Sequence, residues 1–244
     1  MARKSPIEWT EMTWNPVTGC TKISPGCKHC YAETMAKRLV AMGSPRYAHG
    51  FEVRLQQDLV DLPHRWKAPR TVFVNSMSDL FHADVPIEFI QEIFATMRSC
   101  PQHQFQVLTK RAERLVELAP HLSWPENVWM GVSIETQKYA YRADLLRQVP
   151  ARIRFLSVEP LLGAIPNLPL AGIHWVIVGG ESGWRARTME REWVEEIFRQ
   201  CRRADVPFFF KQWGGVQKHR TGRRLFGRVY DEMPRQYVAA TAGV

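Results

Sequence analysis

Six short, β-rich apolar runs recur along this 244-residue chain, and each of them ends in polar residues. The runs cover residues 71–79, 105–111, 128–135, 154–160, 174–182 and 207–213. Such nearly continuous apolar runs are typical of parallel strands that are buried on both faces. Apolar residues at helical spacing lie between several of them, at 86–99, 137–148 and 190–203. Alternation of strands and helices predicts a parallel α/β fold.

A further strand is predicted at residues 13–18, which brings the total to about seven. In parallel barrels and open sheets alike, functional sites form at the carboxyl ends of the strands. We therefore expect one domain, residues 1–244, with a shared site built from the polar residues that end the runs. The candidates in that position are Ser76, Ser78, Asp79, Lys110, Ser133, Glu135, Ser157, Glu159, Glu181, Ser182, Lys211 and Gln212.

The charge of the chain is strongly basic, at +9 with a pI near 9.6. A basic balance favours polyanionic partners, of which nucleic acid is the usual one, although a basic enzyme without such a partner is the alternative. No apolar run is long enough to span a membrane, and no secretory signal is recognisable at the N-terminus. We expect a cytoplasmic protein that is not associated with membranes.

Three of the five cysteines lie within eleven residues, as Cys20, Cys27 and Cys30. An odd number of cysteines without a signal peptide argues against a disulfide framework and for a metal. Thiolates suit iron–sulfur clusters or zinc, but a structural zinc site needs a fourth ligand. Three thiolates would leave one iron of a cubane cluster open. A non-radical iron–sulfur site and a zinc site are the alternatives, and Cys100 and Cys201 are expected to be structural.

The segment Cys27-Lys-His-Cys30 resembles the end of the cysteine motif of the radical S-adenosylmethionine superfamily. The resemblance implies a [4Fe–4S] cluster on Cys20, Cys27 and Cys30, with S-adenosylmethionine as cofactor and His29 beside its adenine. It also implies a partial (β/α) TIM-like barrel of about six to seven parallel strands, with the cysteines in the loop after the first strand. The family usually has three residues between the first two cysteines, whereas this chain has six, residues 21–26. Cys20 is therefore the ligand that most needs testing.

The same resemblance implies roles for the polar residues that follow the second and third predicted strands. Ser76, Ser78 and Asp79 would accept hydrogen bonds from the ammonium group of S-adenosylmethionine. A cation at the end of the third strand, Lys110 or Arg111, would meet the carboxylate of that cofactor or a DNA phosphate. The alternative for Asp79 is a helix cap.

Later strand ends would hold the ribose of the cofactor. Ser133, Glu135 and Glu159 are the residues that we expect to accept its hydroxyl groups. The alternative is that the glutamates form buried salt bridges with Lys110 or Arg154. The glycine-rich turn at residues 178–183 would either let the backbone approach a ligand or be a plain tight turn.

The segment from Trp14 to Cys20 is similar to the Trp-Asn-Pro-x-x-Gly-Cys opening of small phage and bacterial proteins. Some of these resemble spore photoproduct lyases, the radical enzymes that revert a thymine adduct in DNA. That resemblance implies DNA as a partner and an electron donor such as flavodoxin or ferredoxin, and we expect a monomer. Radical modification of RNA or of a small molecule, and a non-catalytic nucleic-acid-binding role, are the alternatives.

A basic C-terminal extension is predicted from about residue 211. Residues 211–230 contain six Lys or Arg and no Asp or Glu, interleaved with aromatic residues. Basic charge with aromatic side chains is what a surface for nucleic-acid strands uses. The predicted substrate-binding residues are Lys211, Trp213, Arg223 and Arg224. A solvated basic tail is the alternative.

Overall fold

The computed structural model describes Ser5 and residues 7–234 of the chain. Its strands are β1 (Met12–Trp14), β2 (Val17–Thr18), β3 (Arg54–Leu55), β4 (Thr71–Val74), β5 (Gln104–Thr109), β6 (Val128–Ser133), β7 (Ile153–Val158), β8 (Trp175–Gly179) and β9 (Phe208–Gln212). Its α-helices are α1 (Tyr31–Ala41), α2 (Ile87–Ser99), α3 (Ala112–Leu118), α4 (Tyr141–Leu146), α5 (Arg191–Arg203) and α6 (Lys218–Thr221).

Seven of the strands form one sheet in the order β1-β4-β5-β6-β7-β8-β9. The strands lie in the order in which they occur in the sequence, as in a (β/α) barrel. A doubly wound sheet would instead reverse its strand order at one point. The pairings of β1 with β4, β4 with β5, β7 with β8 and β8 with β9 are all parallel. The predicted fold class, α/β with the strand arrangement of a partial (β/α) barrel, is confirmed.

The chain divides into two compact units, and the boundary falls inside β6. Unit 1 comprises residues 1–131 and 149–152, and unit 2 comprises 132–148 and 153–244. Each unit has an apolar core under its strands. In unit 1 the rings of Trp14 and Phe105 are 5.8 Å apart, and in unit 2 those of Phe155 and Trp175 are 5.7 Å apart. That the whole chain is a single domain stays a prediction.

The strand predicted at residues 13–18 is present as β1 and completes the seven-stranded sheet, but it ends earlier than predicted, at Trp14. Pro16 has no backbone N–H to donate to a ladder, and the chain leaves the main sheet after Trp14. Val17 and Thr18 then pair with β3 in a separate antiparallel ladder. The cysteine-bearing loop therefore starts from a local two-stranded element.

Helix predictions were better near their centres than at their ends. Helix α1 follows the third cysteine directly, and α2 begins after Pro86 as its N-cap. The helix predicted at 137–148 is instead a single 3₁₀ turn, Gln137–Tyr139, followed by the short α4. The side chain of Gln137 exchanges two 3.0 Å hydrogen bonds with the backbone of Asn167, which anchors that turn separately.

Lys211 and Gln212, where the basic C-terminal extension is predicted to begin, are the last residues of β9. Beyond α6 the chain returns along β9 and forms an antiparallel bridge between Phe209 and Asp231. Phe210 N also donates to the Tyr230 carbonyl at 2.8 Å. This return covers the outer edge of the sheet, where unpaired backbone groups would otherwise be exposed.

None of the helices in the described residues combines the length and apolar character that a membrane crossing requires.

Acid should destabilise the fold in part through His103, which is 1% exposed. Burial lowers the pKa of its imidazole, whose Nε2 lies 3.2 Å from the Pro63 carbonyl. The folded chain thus binds fewer protons than the unfolded chain, so the free energy of unfolding falls as the pH drops below about 6.5. We expect His103→Gln, which retains a donor for Pro63 but does not titrate, to reduce this slope by up to about 1.4 kcal/mol per pH unit. Urea unfolding at several pH values measures the slope, and an unchanged slope would contradict the prediction.

Candidate functional site

The loop that carries the cysteines is held by the segment that follows β4. Gly19 forms a parallel bridge with Ser78, and its N–H donates to the Met77 carbonyl at 3.1 Å. The N–H of Cys20 donates to the Phe51 carbonyl at 3.2 Å. The backbone at the first cysteine is therefore positioned from two sides within unit 1.

Side chains also join these two segments. Asn15 Oδ1 accepts from Ser76 Oγ at 3.1 Å and from Met77 N at 3.0 Å. Ser78 Oγ donates to the Val17 carbonyl at 2.8 Å, and Asn75 Oδ1 accepts from Val17 N at 3.3 Å. The predicted cofactor residues Ser76 and Ser78 thus lie beside the cysteine loop and take part in holding it.

The second and third cysteines lie on either side of a tight turn. Cys27 ends the 3₁₀ turn Pro25–Cys27, and its Sγ is 3.6 Å from Ser24 Oγ. Cys30 is the N-cap of α1. His29 lies between them in sequence and is half-buried. Cys20, Cys27 and Cys30 are all half-buried free thiols.

Arg111 provides a cation next to Cys20. Its Nη2 donates to Thr21 Oγ1 at 2.9 Å and to the Thr21 carbonyl at 3.2 Å. Burial and, after it, the charge of Asp79 raise the pKa of Cys20 to about 11, although Arg111 acts in the opposite direction. Near neutral pH this thiol is protonated, so a metal that binds it would displace a proton.

Asp79 joins the loops after β4 and β5. Its Oδ1 accepts from Thr109 Oγ1 at 2.7 Å and from Phe81 N at 3.0 Å, and its Oδ2 accepts from Lys110 N at 3.1 Å. The carboxylate is not the cap of α2, because the N-cap of that helix is Pro86. Asp79 thus lies at the strand ends near Cys20 and is 7% exposed.

The donor set of unit 1 fits an iron–sulfur cluster in its chemistry. Three soft thiols on one loop are the ligands that such clusters use. Among the described residues, no three His, Cys, Asp or Glu side chains converge as they would around a single metal ion. A cubane places each thiolate on a different iron, so its ligands stand farther apart than those of one ion.

In unit 2, Glu135 is paired with an arginine that the sequence analysis did not name. Its side chain is fully buried, and Oε2 lies 3.1 Å from Arg142 Nη1. The same Nη1 donates to the Ser133 carbonyl at 2.8 Å. The buried salt bridge named as the alternative for Glu135 is present, with Arg142 as a partner. Contact of Ser133 and Glu135 with a ribose stays a prediction.

Two further predicted residues pair with each other. Lys211 Nζ is 2.5 Å from Glu159 Oε1, and both side chains are at most one-fifth exposed. Gly179 makes room for this pair, since a Cβ there would lie 3.3 Å from Glu159 Cδ and 3.4 Å from Lys211 Cβ. The cofactor role of Glu159 and the substrate role of Lys211 would both have to be compatible with this ion pair.

The other predicted substrate-binding residues pack against β9 and the segment that follows it. The Trp213 ring is 4.8 Å from that of Phe210, and its Nε1 donates to the Arg224 carbonyl at 3.0 Å. The Arg223 guanidinium lies 5.0 Å from the centre of the Phe209 ring. Arg224 is exposed and donates to the Gly227 carbonyl at 2.8 Å. Only Arg224 of these three is presented openly to solvent.

Of the two cations predicted after the third strand, Lys110 and Arg111, Arg111 brings its guanidinium to the cysteine loop. Sequence reasoning missed Trp184, which is 85% exposed directly after the glycine-rich turn. Exposure of a Trp has no sequence signature.

The fold and the cysteine-bearing loop define a class: α/β proteins with barrel-like strand order and a cluster of thiols after the first strand. Residues 4–234 match the family described as "Protein of unknown function (DUF5131)", and the chain belongs to that family. The comparison with curated proteins gives no match. A solved structure of a mutant spore photoproduct lyase is similar, with a TM-score of 0.56 and 13% identity over 86% of this chain and 79% of that one. At this identity the likeness shows the fold alone.

Proposed function

We propose that this protein is a radical S-adenosylmethionine enzyme that holds a [4Fe–4S] cluster on Cys20, Cys27 and Cys30. The observation that carries the proposal is the loop of three half-buried free thiols held between the ends of the first strands of unit 1. When bound, a reduced cluster supplies the electron that splits S-adenosylmethionine into methionine and a 5′-deoxyadenosyl radical.

The residues of unit 1 have roles in holding that cofactor. Asp79 supplies a carboxylate for the ammonium group, together with Ser76 and Ser78. Of the two predicted cations, Lys110 and Arg111, Arg111 supplies the positive charge close to Cys20. His29 would lie against the adenine. In unit 2, Ser133, Glu135 and Glu159 are the proposed ribose contacts.

For the substrate we propose DNA, and for the reaction the reversal of a thymine photoproduct. The likeness in fold to spore photoproduct lyase supports this choice, as does the charge of +9. The reaction needs a low-potential electron donor such as flavodoxin or ferredoxin, and we propose a monomer that works with it in the cytoplasm. The contacts of Lys211 and Trp213 make Arg224 the stronger of the proposed phosphate contacts.

Anaerobic reconstitution tests the cofactor half of the proposal. We expect about four irons and four sulfides per chain, because each cubane holds that number. With a reductant and S-adenosylmethionine, the reconstituted protein should release 5′-deoxyadenosine. Stoichiometric zinc without iron in the protein as purified and after reconstitution, or a full cluster that forms no 5′-deoxyadenosine, would contradict it.

A dinucleotide thymine adduct tests the substrate half. The expected result is repaired thymine that appears together with 5′-deoxyadenosine and depends on the reductant. Formation of 5′-deoxyadenosine without repair would keep the radical chemistry and reject this substrate. Modification of RNA or of a small molecule would then be the proposal to pursue.

A further inference from the structure

We propose that the turn carrying Trp184 and Arg185 is a stacking site for an unpaired base of a DNA strand. Trp184 is 85% exposed, and Arg185 beside it is exposed as well. Neither side chain has a hydrogen bond, ion pair or ring contact with another described residue. A tryptophan is a large apolar surface, and leaving it in water is unfavourable unless it covers a partner.

The turn is fixed at its base, so the exposed ring is held by a rigid support. Ala186 N donates to the Gly183 carbonyl at 3.1 Å, which places Trp184 and Arg185 at the two central positions of the turn. Below it, Arg187 Nε and Nη2 donate to the two oxygens of Glu181 at 2.9 and 2.5 Å. This bidentate pair closes the base of the loop, and Glu181 is itself 5% exposed.

The loop after β9 supports the turn from the other side. Gly183 N donates to the Gly215 carbonyl at 3.1 Å, and Gly215 N donates to the Glu181 carbonyl at 2.8 Å. The approach is so close that a Cβ on Gly180 would lie 2.2 Å from the Trp213 carbonyl oxygen. The glycine-rich turn therefore serves contact between two loops of unit 2. Preorganisation of this kind reduces the entropy lost when a ligand binds.

Charge favours a nucleic acid over a protein as the occupant. Residues 182–189 contain two arginines, of which Arg187 is paired with Glu181 and Arg185 with no described carboxylate. Residues 211–230 contain six Lys or Arg and no Asp or Glu, and of these Lys211 is paired with Glu159. The two segments are joined by the hydrogen bonds at Gly215. An exposed indole within a basic surface is the combination that proteins use to stack bases while they neutralise phosphates.

The inference deepens the proposed function, because it rests on DNA as the substrate. It does not depend on the cluster, so binding can be measured on the full chain without iron or S-adenosylmethionine. A protein that binds strands through Trp184 but forms no 5′-deoxyadenosine would leave this inference standing and reject the radical reaction. A protein that forms 5′-deoxyadenosine but binds strands equally well without Trp184 would reject this inference and leave the radical reaction standing.

The test is fluorescence anisotropy with a labelled oligothymidine strand and with the same sequence as a fully paired duplex. We expect Trp184→Ala to weaken binding of the single strand about 10-fold, the typical effect of losing one stacked base. Trp184→Phe should retain most of the affinity. Arg185→Gln should lower the dependence of log affinity on log salt by about one. Tyr141→Ala is the matched control, since Tyr141 is another aromatic residue of unit 2 and is 43% exposed.

Three results would overturn the inference. The first is that Trp184→Ala binds the strand as tightly as the unmodified chain does. The second is that the duplex binds as well as the strand and loses the same affinity in Trp184→Ala, because stacking needs an unpaired base. The third is that the unmodified chain binds neither DNA, in which case Trp184 would face a protein partner. Thermal unfolding of each variant identifies any loss that comes from misfolding.

Discussion

Replacing Cys27 with alanine is expected to abolish assembly of the cluster and to lower the formation of 5′-deoxyadenosine more than 100-fold. A cubane that has lost one of three protein thiolates is no longer held at three corners, and ligand exchange with solvent becomes fast. The change is at a half-buried loop position, so the fold should survive it. Iron and sulfide per chain, measured after reconstitution, and product formation give two independent readouts.

Cys100→Ala is the matched control for this loss. Cys100 is the C-cap residue of α2, is fully buried, and is a thiol outside the cysteine loop. The Cys100→Ala variant should bind as much iron as the unmodified chain and should form nearly as much 5′-deoxyadenosine. Cys20→Ala tests whether Cys20 is a cluster ligand despite the six residues that separate it from Cys27. A full cluster in that variant would show that Cys20 is not one of the ligands. Equal iron content in Cys27→Ala and the unmodified chain would reject the cluster site altogether.

Replacing Gly19 with alanine is expected to lower the free energy of unfolding by about 4 kcal/mol. Gly19 has φ of +81°, where a side chain is strained, and its Cβ would lie 2.0 Å from the carbonyl oxygen of Glu52. That neighbour is backbone, so relief requires movement of the chain and not of a flexible side chain. The same movement would displace Cys20, and we expect iron incorporation to fall together with stability.

Gly43→Ala separates strain from steric overlap. Gly43 also lies in unit 1 with φ of +71°, but no atom lies within 4 Å of the position that a Cβ would take. It should therefore lose only about 1 kcal/mol, the cost of the backbone conformation. Urea unfolding of both variants measures the difference, and equal losses would show that the approach of Glu52 is unimportant.

The fold could be predicted from the sequence because each buried strand is a short apolar run that ends in polar residues. That pattern is local, and it located the strand ends near Lys110, Ser133 and Glu159. The strand predicted at 13–18 ends early, at Trp14, just before Pro16, which has no N–H to donate to a ladder. The hydrophobic pattern of a segment does not show where the chain stops pairing with one strand and begins to pair with another.

The candidate site could be predicted only in part, since its partners are distant in the sequence. Residue types indicated that Glu135 and Glu159 would need cations, but not that these would be Arg142 and Lys211. Side-chain exposure is likewise set by the folded chain. For this reason an aromatic platform was predicted at Trp213, whose indole packs against β9, while Trp184 was overlooked.

The hydrogen bonds that Asn15 Oδ1 accepts from Ser76 Oγ and Met77 N join residues 61 and 62 positions apart. The three cysteines are neighbours in the chain, but the frame that orients the first of them is completed only when the strand at residues 71–74 has been added to β1. A peptide of the cysteine loop alone would therefore offer thiols without a fixed arrangement. During synthesis, cluster insertion would have to wait until the chain beyond Met77 has left the ribosome. Conversely, iron retained by a chain truncated before that point would reveal binding that does not depend on the native site.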